Sequence, residues 1–153
     1  MAVLITAAMI VGLVRSGDPS RNGTAVSADE LAEREVMFVE PGHVYLVWND
    51  GSPLALAPDT QHVGDEVWYC PSSGFFESPA HGESFDGRGY YYAGPGARGL
   101  ARHPVEIVDG SVIADLTIQI EGPPRGAGPA LEPRGPFCSE ESAGDRTSPL
   151  QSR

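Results

Sequence analysis

From Val36 to Ile120 the chain is cut into short apolar runs by Gly, Pro, Asn and Asp. Val36–Val39, Val44–Trp48 and Glu66–Tyr69 are rich in β-branched and aromatic residues, and Tyr90–Tyr92, Val105–Val108 and Val112–Ile120 continue the series. Runs of this length and composition, each closed by turn residues, read as strands. Asn49-Asp50-Gly51 and Asp109-Gly110 are hairpin turns by composition, because Gly accepts the positive φ that tight hairpins require. The chain holds 19 Gly and 14 Pro, which favours many turns over long helices. The pattern predicts an all-β fold, an antiparallel sandwich or barrel. At 153 residues there is room for one compact domain with extensions at its ends.

Those extensions differ from the middle. Residues 1–14, MAVLITAAMIVGLV, are uniformly apolar, yet a bilayer span needs about 20 such residues. The segment fits a signal-peptide core or a short signal anchor. Arg15, Arg21 and Arg34 come after it and no basic residue precedes it, which by itself favours a cytoplasmic side for the rest of the chain; the side of the membrane stays open. Residues 15–35 read as a polar linker, with Ser27-Ala28-Asp29-Glu30 able to start one helical turn through a capping box. Residues 121–153 are dominated by Gly, Pro and Ser and are expected to lack fixed structure.

The formal net charge is −11, from 21 acidic residues against 10 basic ones. All the basic residues are Arg, a usage that reflects a GC-rich, bacterial coding sequence more than chemistry. Such a surface repels phosphate backbones, which excludes nucleic acid as the partner. The two cysteines, Cys70 and Cys138, are too few for a disulfide scaffold or an all-cysteine cluster. Cys70 is expected to be a half-buried structural thiol, and Cys138 to lie in the unstructured tail, away from any site.

Two histidine-bearing loops carry the functional signal. The first is Asp59-Thr60-Gln61-His62-Val63-Gly64-Asp65, and the second Ser78-Pro79-Ala80-His81-Gly82-Glu83-Ser84-Phe85-Asp86-Gly87. A third loop, Gly94-Pro95-Gly96-Ala97-Arg98-Gly99-Leu100, leads into Pro104-Val105. The set resembles the Rieske iron–sulfur family, whose first loop reads Cys-x-His-x-Gly-Cys and whose second reads Cys-Pro-x-His-Gly, followed by a proline loop. His62, Gly64, Pro79, His81, Gly82, Phe85, Asp86, Gly87, Gly94, Pro95 and Leu100 sit where that pattern wants them. The resemblance spans residues 36–120. It implies an antiparallel Rieske-like β sandwich or barrel bearing a small, loop-rich subdomain of the cluster-binding type.

The cluster ligands do not match. A Rieske centre holds one iron through two thiolates and the other through two imidazoles. The imidazoles are retained as His62 and His81, but the thiolate positions are Thr60 and Ser78. An alcohol keeps its proton near neutral pH and is no substitute for a soft anionic ligand. The family's bracing cysteines read Asp65 and Ala80, and Glu83 stands where Ser often follows His-Gly. The resemblance therefore implies the family's shape without its 2Fe–2S cofactor, and no cofactor is expected. His62 and His81 would be metal ligands only if a mononuclear zinc or copper ion is bound, with Asp65 or Glu83 completing the set.

Other patterns fall away. Gly94-x-Gly96-x-x-Gly99 matches a dinucleotide fingerprint by letter, but Pro95 and Pro104 deny the helix that motif needs. Ser78, His81 and Asp86 name a hydrolytic triad, yet all three lie on one short loop. His43 and His103 are expected to be structural residues in strands, Trp48 and Trp68 core, and Tyr90–Tyr92 sheet packing.

The function implied is a membrane-associated binding or structural subunit of an oxidoreductase system. Its partner would be a membrane oxidoreductase subunit or another Rieske protein. No enzymatic activity of its own is expected, and the location is membrane-anchored or exported. One alternative is the family's usual electron transfer through a 2Fe–2S cluster, and a second is a mononuclear zinc or copper protein.

Overall fold

A computed structural model of the chain describes residues 23–138. The apolar segment 1–14 and residues 139–153 of the tail lie outside the described residues. Eleven strands and one helix succeed one another among the described residues: β1 (Gly23–Ser27), α1 (Ala28–Arg34), β2 (Val36–Val39), β3 (Val44–Asn49), β4 (Ser52–Leu56), β5 (Trp68–Cys70), β6 (Phe75–Glu77), β7 (Ser84–Phe85), β8 (Tyr91–Ala93), β9 (Arg102–His103), β10 (Val105–Val108) and β11 (Ser111–Asp115). They form three antiparallel sheets, in the orders β1-β11-β10, β2-β3-β4-β9 and β5-β6-β7-β8.

The middle sheet organises the other two. Strand β3 reads VYLVWN, an apolar run with no polar alternation, and its first four residues are all buried. A strand reads this way when both of its faces are covered. Tyr45 and Val47 point to one side, where they join Leu56, Val67, Phe76, Phe85 and Leu100 against the β5–β8 sheet. Val44 and Leu46 point to the other, where they join Leu31, Ala55, Val112 and Ala114 against α1 and the β1-β11-β10 sheet. Successive side chains of one strand thus feed two apolar clusters. The Tyr45 hydroxyl, enclosed on its side, donates to the carbonyl of Val67 at 3.2 Å. Both expected hairpin turns form, with Asp50 and Gly51 at φ 48° and 78° and Asp109 and Gly110 at φ 50° and 76°; two consecutive positive values mark the type I′ turn.

Several elements differ from the sequence reading. The run Val112–Ile120 ends as a strand at Asp115, because the Asp115 carboxylate accepts from Thr117 N at 2.9 Å and Thr117 Oγ1 at 2.5 Å and turns the chain. Residues 23–35, expected as linker, contribute β1 and α1 to the fold. Ser27 caps α1 by accepting from Glu30 N at 3.5 Å, and Leu31 is fully buried. His43 lies in the turn before β3 rather than in a strand, beside the carboxylates of Glu40 and Glu66. Trp48 and Trp68 are only partly buried.

The largest difference is in the tail. Residues 121–138 have a fixed place against the domain. Arg125 N donates to Ala97 O at 2.8 Å, Arg134 N to Ser73 O at 2.9 Å and Gly99 N to Pro123 O at 2.8 Å. Leu131 N reaches the buried Asp86 carboxylate at 2.9 Å, and Cys138 N reaches Glu77 Oε1 at 3.0 Å. Gly and Pro exclude helix and sheet ladders, but an irregular backbone still orders where the domain supplies partners for its polar groups. Cys138 is buried and joined to Cys70 by a disulfide with Cα atoms 5.7 Å apart, which corrects the reading of Cys70 as a lone thiol and of Cys138 as a tail residue remote from structure.

Candidate functional site

The two histidine loops are hairpin tips built on one plan. An isolated antiparallel bridge, Asp59 with Glu66, closes the base of the first, and the pairing of Glu77 with Ser84 closes the second. In the first loop Thr60 N donates to Asp65 O at 2.7 Å, Gly64 N to Thr60 O at 3.2 Å and Asp65 N to Thr60 Oγ1 at 3.2 Å. In the second, Ser78 N donates to Glu83 O at 2.8 Å, Gly82 N to Ser78 O at 3.1 Å and His81 N to Ser78 Oγ at 3.4 Å. Gly64 and Gly82 occupy equivalent places with φ 76° and 69°, a conformation that costs Gly nothing sterically. Thr60 and Ser78 are each 3 % exposed. Their hydroxyls close their own loops, the local side-chain-to-backbone bonding at which Ser and Thr excel.

Asp65 joins the loops to each other. Its Oδ2 accepts from Ser78 Oγ at 3.4 Å and makes a short hydrogen bond with His81 Nδ1. The rings of His62 and His81 stand edge to face with centroids 6.3 Å apart. The fold therefore brings Thr60, His62, Asp65, Ser78 and His81 to one end of the domain. Ala80, beside them on the second loop, is exposed.

This donor set does not fit a 2Fe–2S cluster held by two thiolates and two imidazoles. The groups at positions 60 and 78 are alcohols, each already engaged in a hydrogen bond, and His81 Nδ1 is turned to a carboxylate rather than left to a metal. The chain's sulfur atoms are paired with each other elsewhere. A hydrolytic triad does not form either: Ser78 Oγ bonds to Asp65 rather than to the His81 ring, and Asp86 is buried and bound by Arg88 at 2.8 Å and 3.1 Å. Among the described residues, metal-type donors gather in a group of three at Cys70, Glu77 and Cys138, not at His62, His81 and Asp65.

Glu83 takes a different course from its counterpart Asp65. It is 1 % exposed, and its Oε2 has no hydrogen-bond partner. It runs beneath the third loop, where a Cβ on Gly94 or Gly96 would collide with it. Elsewhere in the site, Gln61 Oε1 accepts from Gly122 N at 2.6 Å and ties the first loop to the tail. The sequence reading missed that link and the disulfide. The even cysteine count was the available signal for the disulfide; none pointed to Gln61.

No protein-family model matches the chain, and no curated protein matches it. Solved structures do. The cyanobacterial plasma membrane Rieske protein PetC3 from Synechocystis PCC 6803 is 24 % identical with a TM-score of 0.48, over 57 % of this chain and 93 % of that one. The ferredoxin of carbazole 1,9a-dioxygenase from Nocardioides aromaticivorans IC177 is 20 % identical with a TM-score of 0.44, over 59 % of this chain and 92 % of that one. These are likenesses of fold and say nothing of chemistry.

Proposed function

We propose that this chain is a Rieske-type domain that holds no 2Fe–2S cluster and serves as a binding or structural subunit of a membrane oxidoreductase system. The observation that carries the reading is Asp65. From the position of a family bracing cysteine, its carboxylate reaches across to Ser78 and His81 and holds the paired loops together through oxygen and nitrogen. The loop shape is thereby kept without sulfur, and a surface with that shape suits docking more than electron transfer. A disulfide between Cys70 and Cys138 supports an oxidising compartment. That agrees with export or anchoring through residues 1–14. The described residues contain no helix long and apolar enough to cross a membrane.

The test is chemical. The full chain is purified without added metal, and iron, acid-labile sulfide, zinc and copper are measured beside a visible spectrum. A colourless protein without iron or sulfide is the expected outcome. Two irons and two sulfides per chain would return the domain to electron transfer. Stoichiometric zinc or copper that disappears in a His62→Ala, His81→Ala double variant would make it a mononuclear metal protein.

A further inference from the structure

We propose that the Cys70–Cys138 corner, once reduced, is a zinc site, separate from the paired loops and independent of the function proposed for them. One ligand atom from each of Cys70, Glu77 and Cys138 lies within 4.8 Å of the other two, and all three residues are buried. Two thiolates and a carboxylate form a donor set suited to a borderline-soft divalent cation. Thiolate sulfurs bound to one tetrahedral zinc stand about 3.8 Å apart, from a Zn–S length of about 2.3 Å. That separation falls inside the envelope the three donors already occupy.

The surroundings are those of a prepared site. Ser73 Oγ donates to Glu77 Oε1 at 3.2 Å and Cys138 N to the same oxygen at 3.0 Å, which fixes the carboxylate. Partners of this kind orient ligands and raise affinity. Ser72 Oγ lies 3.1 Å from Cys70 Sγ and 3.6 Å from Cys138 Sγ, and its hydroxyl donates to Pro136 O at 3.0 Å. A cavity of about 190 Å³ is lined by all three donors and also by Glu83. Glu83, whose Oε2 is buried and without a partner, lines the same cavity but stands outside the three-donor group.

The chemistry balances with a named reductant. A cellular dithiol gives two electrons and two protons to the disulfide, becomes a disulfide itself, and leaves Cys70 and Cys138 as thiols. Zinc binding then releases both thiol protons to solvent. In an oxidising compartment the same pair stays a covalent staple; under reducing conditions the metal takes over the staple's place.

Cobalt titration of the full chain tests this, with a phosphine as reductant in vitro. The phosphine takes its oxygen from water and delivers the two hydrogens to the thiols. Reduced protein is expected to bind one Co²⁺ per chain, with an intense thiolate-to-metal band in the near ultraviolet that Zn²⁺ abolishes. Oxidised protein should show no band. Cys138→Ser should lose it, and Glu77→Gln should weaken binding at least about tenfold. The His62→Ala, His81→Ala variant should keep it. No band, a band that saturates at half an equivalent, or one indifferent to Glu77→Gln would overturn the proposal. If reduction unfolds the chain, far-ultraviolet circular dichroism reads the same question. Recovery of the β spectrum on adding zinc supports the site, and failure to recover refutes it.

Discussion

The paired-loop end of the domain and the Cys70–Cys138 corner use opposite chemistries to solve the same structural problem. At the loop end two hairpin tips are locked by hydroxyls and joined by the Asp65 carboxylate. At the corner an extended tail is joined to the β5–β6 hairpin by sulfur, with Glu77 accepting beside it. Sulfur in this chain sits where a long, irregular segment must be held, and not where the loop framework would present it to a metal cluster. Short loops closed by their own backbone bonds need little further constraint. A tail pinned by scattered single hydrogen bonds needs much more.

The corner should lose the most stability when its link is cut. Cys138→Ser opens a loop spanning 68 residues of sequence, and the chain-entropy relation puts the loss at about 4 kcal/mol. Urea denaturation of wild type and variant in parallel measures it. A loss under about 1 kcal/mol would mean the tail's hydrogen bonds suffice alone. Asp86→Ala attacks the same tail from the other side. Its buried carboxylate accepts from Arg88, Tyr90 N and Leu131 N. Removing it takes the carboxylate from the Arg88 guanidinium, which keeps Pro129 O, and should cost roughly 3 kcal/mol, with the tail becoming sensitive to proteolysis before the domain does.

An alkaline effect comes next. Burial raises the Tyr45 phenol well above its ordinary value of 10.0, and burial also raises Tyr69. Because the folded value exceeds the unfolded one, this contribution is complete below pH 10 and is lost as pH rises beyond it. The Tyr45 phenol removes about 1.4 kcal/mol per pH unit above that point, and the partly buried Tyr69 adds a smaller fall in the same direction. Urea midpoints at pH 8 and pH 11 should show the fall, and Tyr45→Phe should flatten it. The smallest effect belongs to the loop end. Asp65→Ala removes a half-exposed pair and a long hydroxyl bond and should cost about 1 kcal/mol. Its informative readout is local: amide exchange of residues 60–65 and 78–83 should quicken together. Quickening of one loop alone would show that Asp65 does not join them.

Much of this was legible in the residues. The runs Val36–Val39 and Val105–Val108 are strands with those bounds, and both Asp-Gly turns declare themselves because their conformation is local. The positions of Thr60, His62, Asp65, Ser78 and His81 came from loop motifs whose shape depends on Gly and Pro. What stayed hidden depends on distant partners. Phe75–Glu77 and Ser84–Phe85 are too short to show a period, and they become strands by pairing with each other and with β5 and β8. The tail's order rests on acceptors supplied by Ser73, Glu77, Asp86 and Ala97, which composition does not encode. Glu83 could be read as a charge beside the second loop, but its enclosure under Gly94 and Gly96 is a property of the folded chain.

We propose that the loop end keeps its shape through oxygen and nitrogen and carries no iron–sulfur cluster. Electron paramagnetic resonance of the full chain, purified without added metal and reduced with dithionite, tests it most directly. A silent spectrum in a folded protein is the expected result. A rhombic signal of a reduced two-iron centre, integrating to about one spin per chain, would contradict it.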